Sequence, residues 1–309
     1  MRAVAVSKFG GPEALRVIDA PKPEPEEGEV RVKVLASPVN PIDVFIRSGA
    51  LADLLPESEY YVPGVDVAGE VDLAGPGVSG FAAGQSVVAL VPWFVNQAGT
   101  YAEYVVVPAD ALAVAPHKAD AAAASTLPLN GITASLTLDV VEPAAGKTIL
   151  VTGAAGGVGG YAVQLAAGRG ATVIAVAGPD DDAAVRALGA GRVVARGEDV
   201  ADKVKALVPG GVDGVVDAAS LGAAVLPAVR DGGRFAAVLA PAAPEAERGI
   251  TVETVQQAPD GKRLAALVSE VDAGRLTLRV AEKFALADAA TAHERFGKGG
   301  VRGRLVLVP

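Results

Sequence analysis

The sequence predicts an α/β protein in which a β-rich first part is followed by a doubly wound parallel sheet. Up to about residue 120, short β-branched runs alternate with Gly- and Pro-containing turns, as in a compact barrel or sandwich. From there to about residue 259, aliphatic strands alternate with helix-forming segments, which indicates a parallel sheet covered on both faces. A chain of 309 residues is long enough for two such domains.

The composition argues against several classes of function. A hydrophobic content of 51% with 20% charged residues is typical of a globular protein. The formal charge of −9 disfavours nucleic acid and anionic membranes as partners. Because we find neither a signal peptide nor an apolar run of about 18 residues, we expect a cytoplasmic protein. With no cysteine and only two histidines, we expect no metal site.

The first part contains six predicted strands and one short helix. Asn40 suits the cap of that helix and Pro41 its first position. Turn-forming residues separate the β-branched runs. The predicted strands are residues 2–7, 16–20, 29–37, 65–72, 86–91 and 101–107.

The second part begins with a helix-forming Ala run and continues as alternating strands and helices. The predicted strands are residues 148–152, 172–177, 192–195, 212–217 and 234–239, with a possible sixth at 251–255. The predicted helices are residues 119–126, 158–169, 181–188, 200–208 and 221–230. From about residue 260, we expect two helices and a last strand at 304–308 to return to the first domain.

A glycine-rich turn follows the strand at 148–152 and precedes a helix. Gly156 and Gly159 match the G-x-G-x-x-G pattern, whereas Ala154 replaces its first glycine. Glycines let the backbone approach a diphosphate, and free N–H groups at a helix start attract its charge. The strand–turn–helix context therefore predicts a bound dinucleotide; the alternative is a tight turn without a ligand.

The end of the next strand bears on the choice of dinucleotide. An acidic residue there would bind the ribose 2′-hydroxyl of NADH, but the strand ends in Ala177 and Gly178. Three aspartates at 180–182 come slightly later and suit the start of a helix. An aspartate turned inward would oppose a 2′-phosphate. The sequence thus favours NADPH and leaves NADH open.

Six segments resemble the zinc-free quinone oxidoreductase (zeta-crystallin-like) group of the medium-chain dehydrogenase/reductase superfamily. They occur in the order of that family, at residues 39–49, 63–69, 99–105, 127–134, 153–159 and 302–307. The resemblance implies a GroES-like catalytic domain, residues 1–120 and 260–309, and a Rossmann domain, residues 121–259. It also implies a cofactor in the cleft between the domains and a homodimer or homotetramer.

The resemblance assigns expected roles to individual residues. It implies that Asn40 and Thr133 line the nicotinamide end, with Asn130 beside them. Asp181 stands where the group often has Lys, and Arg196 replaces a usual Tyr but suits phosphate. The implied cofactor-binding residues are Gly153, Ala155, Gly156, Gly157, Val158, Gly178 and Arg196.

Hydride transfer to a quinone requires little side-chain chemistry. Negative charge grows on the substrate oxygen, where Asn40 or Asn130 would donate, and solvent supplies the proton. The aromatic residues Phe45, Trp93 and Phe94 are candidates for the substrate pocket, with core packing as the alternative. Phe45 also replaces a Tyr common in the group.

The predicted function is NADPH-dependent, metal-free reduction of a quinone or an activated alkene (enone or enal). Two alternatives stay open. One is an enoyl-type reductase of a larger acyl substrate. The other is a dinucleotide-binding structural or regulatory protein without turnover. We interpret His117 and His293 as structural.

Overall fold

The computed structural model describes all 309 residues, which form fifteen strands and nine α-helices. The strands are β1 (Arg2–Ala5), β2 (Arg16–Asp19), β3 (Glu29–Pro38), β4 (Asp66–Ala74), β5 (Ser86–Leu90), β6 (Tyr104–Pro108), β7 (Leu112–Val114), β8 (Thr148–Thr152), β9 (Thr172–Ala177), β10 (Arg192–Ala195), β11 (Val212–Asp217), β12 (Val229–Ala237), β13 (Thr251–Thr254), β14 (Val280–Ala285) and β15 (Arg304–Val308). The helices are α1 (Pro41–Ser48), α2 (Trp93–Asn96), α3 (Ala121–Ser125), α4 (Pro128–Val141), α5 (Gly157–Gly168), α6 (Asp182–Ala187), α7 (Val200–Leu207), α8 (Gly261–Asp272) and α9 (Ala289–Gly297). No helix has both the length and the apolar character needed to cross a membrane.

The chain packs into two compact units. The first comprises residues 1–129, 258–272 and 278–309, and the second comprises residues 130–257 and 273–277. Helix α8 and the carboxyl-terminal strands β14 and β15 therefore pack with the first unit. The domain limits expected from the sequence, at residues 120 and 260, stay a prediction.

The second unit contains a six-stranded sheet in the order β10–β9–β8–β11–β12–β13, and every neighbouring pair is parallel. This confirms the doubly wound parallel sheet and its sixth strand. The chain runs outward from β8 through β9 to β10, then returns to β11 on the other side of β8. The order therefore reverses between β8 and β11, the point at which such sheets place ligands at the carboxyl ends of their strands.

One helix prediction was wrong, and one helix was not predicted. A helix over residues 221–230 was wrong: two short 3₁₀ turns occur instead, at Gly222–Ala224 and Leu226–Ala228, and β12 already begins at Val229. Gly222 has φ +52°, and Pro227 lacks the N–H that an α-helix needs. Helix α4 was missed because it is buried on nearly all sides and so lacks the apolar stripe of a surface helix.

The first unit contains a seven-stranded sheet. Six strands lie in the order β14–β15–β3–β4–β5–β7, and β6 pairs with β3. The pairs are antiparallel except for β14–β15, and a separate hairpin joins β1 to β2. Its core includes the buried side chains of Val4, Tyr101, Leu305 and Leu307, so the two ends of the chain pack together.

Candidate functional site

The glycine turn, residues 153–156, connects the central strand β8 to helix α5. Gly153 has φ +60°, which favours glycine, and Gly156 precedes the helix in an extended conformation. The N–H of Ala154 donates to Val176 of β9 at 3.1 Å, which fixes the turn to the sheet. Helix α5 begins just after the carboxyl end of β8, and no side chain caps its first N–H groups.

Small residues keep this turn compact. A Cβ on Gly159 would lie 2.2 Å from the carbonyl oxygen of Gly153, so a glycine is needed where the helix packs on the turn. Ala154 is buried, while the four residues from Ala155 to Val158 are partly exposed. Uncapped N–H groups beside small side chains fit the diphosphate of a dinucleotide.

Two predicted cofactor residues lie together at the same edge of the sheet. Gly178 follows β9 and Arg196 follows β10, and the Arg196 N–H donates to Ala177 at 2.9 Å. A Cβ built on Gly178 would lie 3.0 Å from Oδ2 of Asp181 and 3.8 Å from Cζ of Arg196. A carboxylate and a guanidinium therefore both lie close to Gly178.

Asp182, the last aspartate of the trio, differs from Asp181 in its contacts. Asp182 forms an ion pair with Arg186 one helical turn later, at 2.6 Å. Asp181 occupies the cap position of α6 without a side-chain cap hydrogen bond. The expected capping role of these acids is therefore not seen at Asp181, whose carboxylate lies beside Gly178 instead.

Sequence analysis missed two side chains at this edge, Thr152 and Asp217. They end the neighbouring strands β8 and β11, and the Thr152 hydroxyl donates to Oδ1 of Asp217 at 2.6 Å. Both side chains are buried. The signal was a carboxylate directly after two valines at the end of a predicted buried strand, because a buried charge needs several partners.

Asn130 and Thr133 lie on helix α4 and belong to the second unit. They lie three positions apart in the sequence, a spacing that places side chains on the same side of a helix. Both are buried, and both take part in polar interactions. Their nicotinamide role stays a prediction.

Asn40 is fully buried in the first unit. Its amide nitrogen donates to Oδ2 of Asp66 at 2.9 Å, and its amide oxygen accepts from Arg304. The other carboxylate oxygen of Asp66 accepts from the N–H of Leu129 at 2.7 Å. The protein thus holds both ends of the Asn40 amide, and its role as a donor to substrate stays a prediction.

Asp43 links Asn40 to a second chain of hydrogen bonds. Its carboxylate accepts from the N–H groups of Asn40 at 2.7 Å and Gly64 at 3.0 Å, and from the Tyr101 hydroxyl at 3.3 Å. The Tyr101 oxygen lies 3.0 Å from Nε2 of His293. Since Tyr101 donates to Asp43, His293 donates to Tyr101 from Nε2. We call Asn40, Asp43, Asp66, Tyr101, His293 and Arg304 the buried polar cluster.

Burial controls protonation in the buried polar cluster. It raises the pKa of Asp43 to about 7 and that of Asp66 to about 6, although hydrogen bonds and Arg304 act in the opposite direction. Burial, together with the charge of Arg47, lowers the pKa of His293 to about 3. His293 is therefore neutral at neutral pH, which agrees with a single N–H on Nε2.

The three aromatic residues predicted for the substrate pocket differ in exposure. Trp93 is buried and donates its indole N–H to Val62 at 2.7 Å, so it belongs to the core. Phe94 contacts the Trp93 ring edge-on at 5.4 Å and is 54% exposed, while Phe45 is 37% exposed. A substrate-lining role stays a prediction for these residues.

No group of three or more His, Cys, Asp or Glu side chains in the chain has an arrangement that could hold a metal ion. His117 is exposed, and His293 belongs to the buried polar cluster.

Two family models match the chain. The Alcohol dehydrogenase GroES-like domain matches residues 26–117, and the Zinc-binding dehydrogenase model matches residues 188–307. The first model falls in the antiparallel sheet of the first unit and supports the GroES-like prediction.

Known proteins resemble the chain at moderate identity. A chloroplastic quinone-oxidoreductase homolog of Spinacia oleracea is 37% identical over 201 residues, which are 63% of this chain and 60% of that protein. The chain thus spans less than two thirds of the length of that relative. An NAD-dependent alcohol dehydrogenase of known structure is 34% identical, with a TM-score of 0.89 and 100% of both chains covered. A mycobacterial protein solved in complex with NADPH is 30% identical, with a TM-score of 0.85 and the same coverage.

These similarities agree with the parallel sheet, the glycine turn and the GroES-like sheet. A solved mycobacterial quinone oxidoreductase is also 30% identical over 100% of both chains, with a TM-score of 0.83, and the curated relatives agree with it. The chain belongs to the quinone oxidoreductase (zeta-crystallin-like) group of the medium-chain dehydrogenase/reductase superfamily.

Proposed function

We propose that the protein is an NADPH-dependent oxidoreductase that reduces a quinone or an activated alkene without a metal. The observation that carries the proposal is the glycine turn at the reversal point of the sheet, with an uncapped helix start behind it. Family membership supports the same reaction class. When bound, NADPH supplies a hydride, and a proton from solvent completes reduction of the quinone to the hydroquinone.

The chain's own residues have separate tasks in this proposal. The N–H groups at the start of α5 bind the diphosphate, and Gly153 and Gly159 keep the turn close to the sheet. Asn130 and Thr133 bind at the nicotinamide end. The exposed faces of Phe45 and Phe94 contact the apolar substrate.

Arg196 supports NADPH over NADH because a guanidinium binds phosphate in a bidentate manner. Asp181 acts in the opposite direction, since its carboxylate, which also lies beside Gly178, repels a 2′-phosphate. The solved relatives also divide, one being named NAD-dependent and another being bound to NADPH. We therefore propose an NADPH preference that Asp181 weakens.

A steady-state screen tests the reaction. The purified protein is assayed for NADPH and NADH oxidation with a panel of quinones, enals, enones and an enoyl thioester. Turnover with quinones or enones supports the proposal, and turnover only with the thioester favours an enoyl-type reductase. Binding of NADPH without turnover on any acceptor refutes the enzyme and leaves a dinucleotide-binding protein. Elemental analysis of the active protein accompanies the screen, and an activity-dependent stoichiometric zinc refutes metal independence.

A matched pair of arginine variants tests the cofactor preference. Arg196→Ala is expected to raise the Kd of NADPH by about tenfold or more and to change that of NADH little. Arg192→Ala removes an exposed guanidinium from the other end of the same strand β10 and serves as the control. Asp181→Asn is expected to lower the Kd of NADPH and to change the Kd of NADH little. Equal effects of Arg196→Ala on both dinucleotides would contradict the 2′-phosphate role.

A further inference from the structure

Three backbone N–H groups of the loop after β11 donate to the Thr152 and Asp217 side chains. Ala219 donates to Oγ1 of Thr152 at 3.0 Å, Leu221 to Oδ1 of Asp217 at 3.1 Å, and Gly222 to Oδ2 of Asp217 at 2.8 Å. Together with the 2.6 Å bond between the two side chains, these bonds tie the ends of β8 and β11 to residues 218–222, which we call the edge loop.

The edge loop lies against the glycine turn. A Cβ on Gly153 would lie 3.1 Å from the carbonyl oxygen of Ala218 and 3.3 Å from the Cβ of Ala219. Residues 219 and 220 are exposed. The edge loop thus forms a wall beside the turn, at the edge of the sheet where ligands bind.

The conformation of the edge loop requires these bonds. Ser220 has φ +56°, a left-handed conformation that residues other than glycine rarely adopt. The N–H groups on either side of Ser220 are the two that donate to Thr152 and to Oδ1 of Asp217. Without these acceptors, the loop would lose the contacts that hold Ser220 in this conformation.

We infer that Asp217 and Thr152 are positioning residues for the dinucleotide, which they serve by holding the edge loop against Gly153. The inference rests on the proposed function. Neither side chain touches the ligand, because both are buried and bonded to the protein. Loss of either side chain is expected to weaken cofactor binding, because a displaced edge loop changes the space beside the turn that the diphosphate occupies.

The same two strands offer a matched control at their other end. Asp213 of β11 accepts from the N–H of Thr148 on β8 at 2.8 Å and pairs with Arg230 at 2.9 Å. It therefore also joins β8 to β11, but at the amino ends of the strands. A purely structural role for Asp217 predicts that both aspartates affect the protein alike.

The test measures NADPH and NADH affinity calorimetrically in the full chain, together with thermal unfolding and steady-state kinetics. Asp217→Asn and Thr152→Val keep side-chain volume but remove an acceptor, and are expected to raise the Kd of NADPH by about tenfold or more. Their kcat at saturating NADPH is expected to stay within about threefold of the unsubstituted value, because the nicotinamide end is unchanged. Thr152→Ser keeps the hydroxyl and is expected to bind NADPH with a Kd close to that of the unsubstituted protein. Asp213→Asn is expected to lower Tm with Kd unchanged.

Several outcomes separate the inference from the proposed function. If Thr152→Val or Asp217→Asn folds and binds NADPH with the Kd of the unsubstituted protein, the inference is wrong and the proposed function is unaffected. The same holds if Asp213→Asn weakens NADPH binding as much as Asp217→Asn does at the same loss of Tm. If Asp217→Asn does not fold, the Thr152→Val and Thr152→Ser pair decides. An unsubstituted protein that binds neither dinucleotide overturns the proposed function itself.

Discussion

At the carboxyl edge of the second unit, the glycine turn offers backbone N–H groups from residues adjacent in the chain. In the first unit, the buried polar cluster joins side chains from α1, β4, α9 and β15. The turn needs small residues and an open helix start, whereas the cluster depends on hydrogen bonds between buried polar side chains. We therefore expect added side-chain atoms to destabilise the turn and weaken cofactor binding, and removed polar groups to destabilise the cluster.

The largest loss of stability is expected when a carboxylate of the buried polar cluster is removed. Asp66→Ala removes the acceptor of both Asn40 and the Leu129 N–H, and it takes away one of the two buried carboxylates that interact with Arg304. Breaking such a buried network costs about 3–5 kcal/mol, and we expect the lower value because burial already disfavours the Asp66 charge. Urea unfolding at pH 7.5 measures the loss.

An exposed ion pair provides the control for Asp66→Ala. Asp182→Ala removes the partner of Arg186 on the surface of α6 and is expected to cost less than about 0.5 kcal/mol. Comparable losses in the two variants would mean that the cluster does not act as a connected network.

The next effect is expected in the glycine turn, from a single added methyl group. Gly159→Ala places Cβ 2.2 Å from the Gly153 carbonyl oxygen, and backbone cannot yield as a flexible side chain does. We expect a loss of about 2 kcal/mol in stability and at least a tenfold rise in the Kd of NADPH, because the turn must shift. Thermal unfolding and NADPH titration measure the two effects.

The same helix contains a control for this substitution. A Cβ on Gly168, the last residue of α5, would meet no atom within 4 Å. Gly168→Ala is expected to leave the Kd unchanged and to be neutral or stabilising by about 0.5 kcal/mol. A Gly159→Ala protein that binds like Gly168→Ala would show that the turn tolerates a side chain.

The two regions also differ in how far sequence alone predicts them. The glycine turn is local, so strand, glycines and helix are visible in consecutive residues. Contacts in the cluster connect residues 26, 58, 192 and 264 positions apart. Sequence analysis recognised Asn40 but not Asp66 or Asp43 as its partners, because no periodic pattern links such distant residues.

The errors in the fold have local physical causes. The sequence at 221–230 looked helical, but Gly222 and Pro227 interrupt it and the chain enters β12 early. Helix α4 lacked an apolar stripe since nearly all of its faces are buried. Asp217 was a signal that the sequence analysis did not use: a carboxylate at the buried end of a strand must be held by hydrogen bonds, and three donors hold it here.

The smallest expected effect is a change in the pH dependence of stability. Because the pKa of His293 is lowered to about 3 by burial, the unfolded chain binds a proton there below about pH 6.5 that the folded protein does not. The stabilisation of the folded protein by neutral His293 is therefore fully present above pH 6.5 and is lost as the pH falls from 6.5 toward 3. Asp43 and Asp66 act oppositely: with pKa values raised to about 7 and 6, they favour the folded state as pH falls through those values.

Replacing His293 by a residue that does not titrate measures the contribution of His293 to the pH dependence of stability. In His293→Gln, no proton binds at this position in the unfolded chain, so the free energy of unfolding at pH 6 relative to pH 7 should increase by about 0.7 kcal/mol over the unsubstituted protein. Urea unfolding at pH 5, 6 and 7 measures the difference, with buried Tyr101 and Asp43 and the charged Arg47 unchanged. His117→Gln, at the exposed second histidine, is the control and should leave the pH dependence unaltered. If both variants follow the unsubstituted curve, His293 is not held neutral, and the hydrogen bond direction from His293 through Tyr101 to Asp43 is wrong.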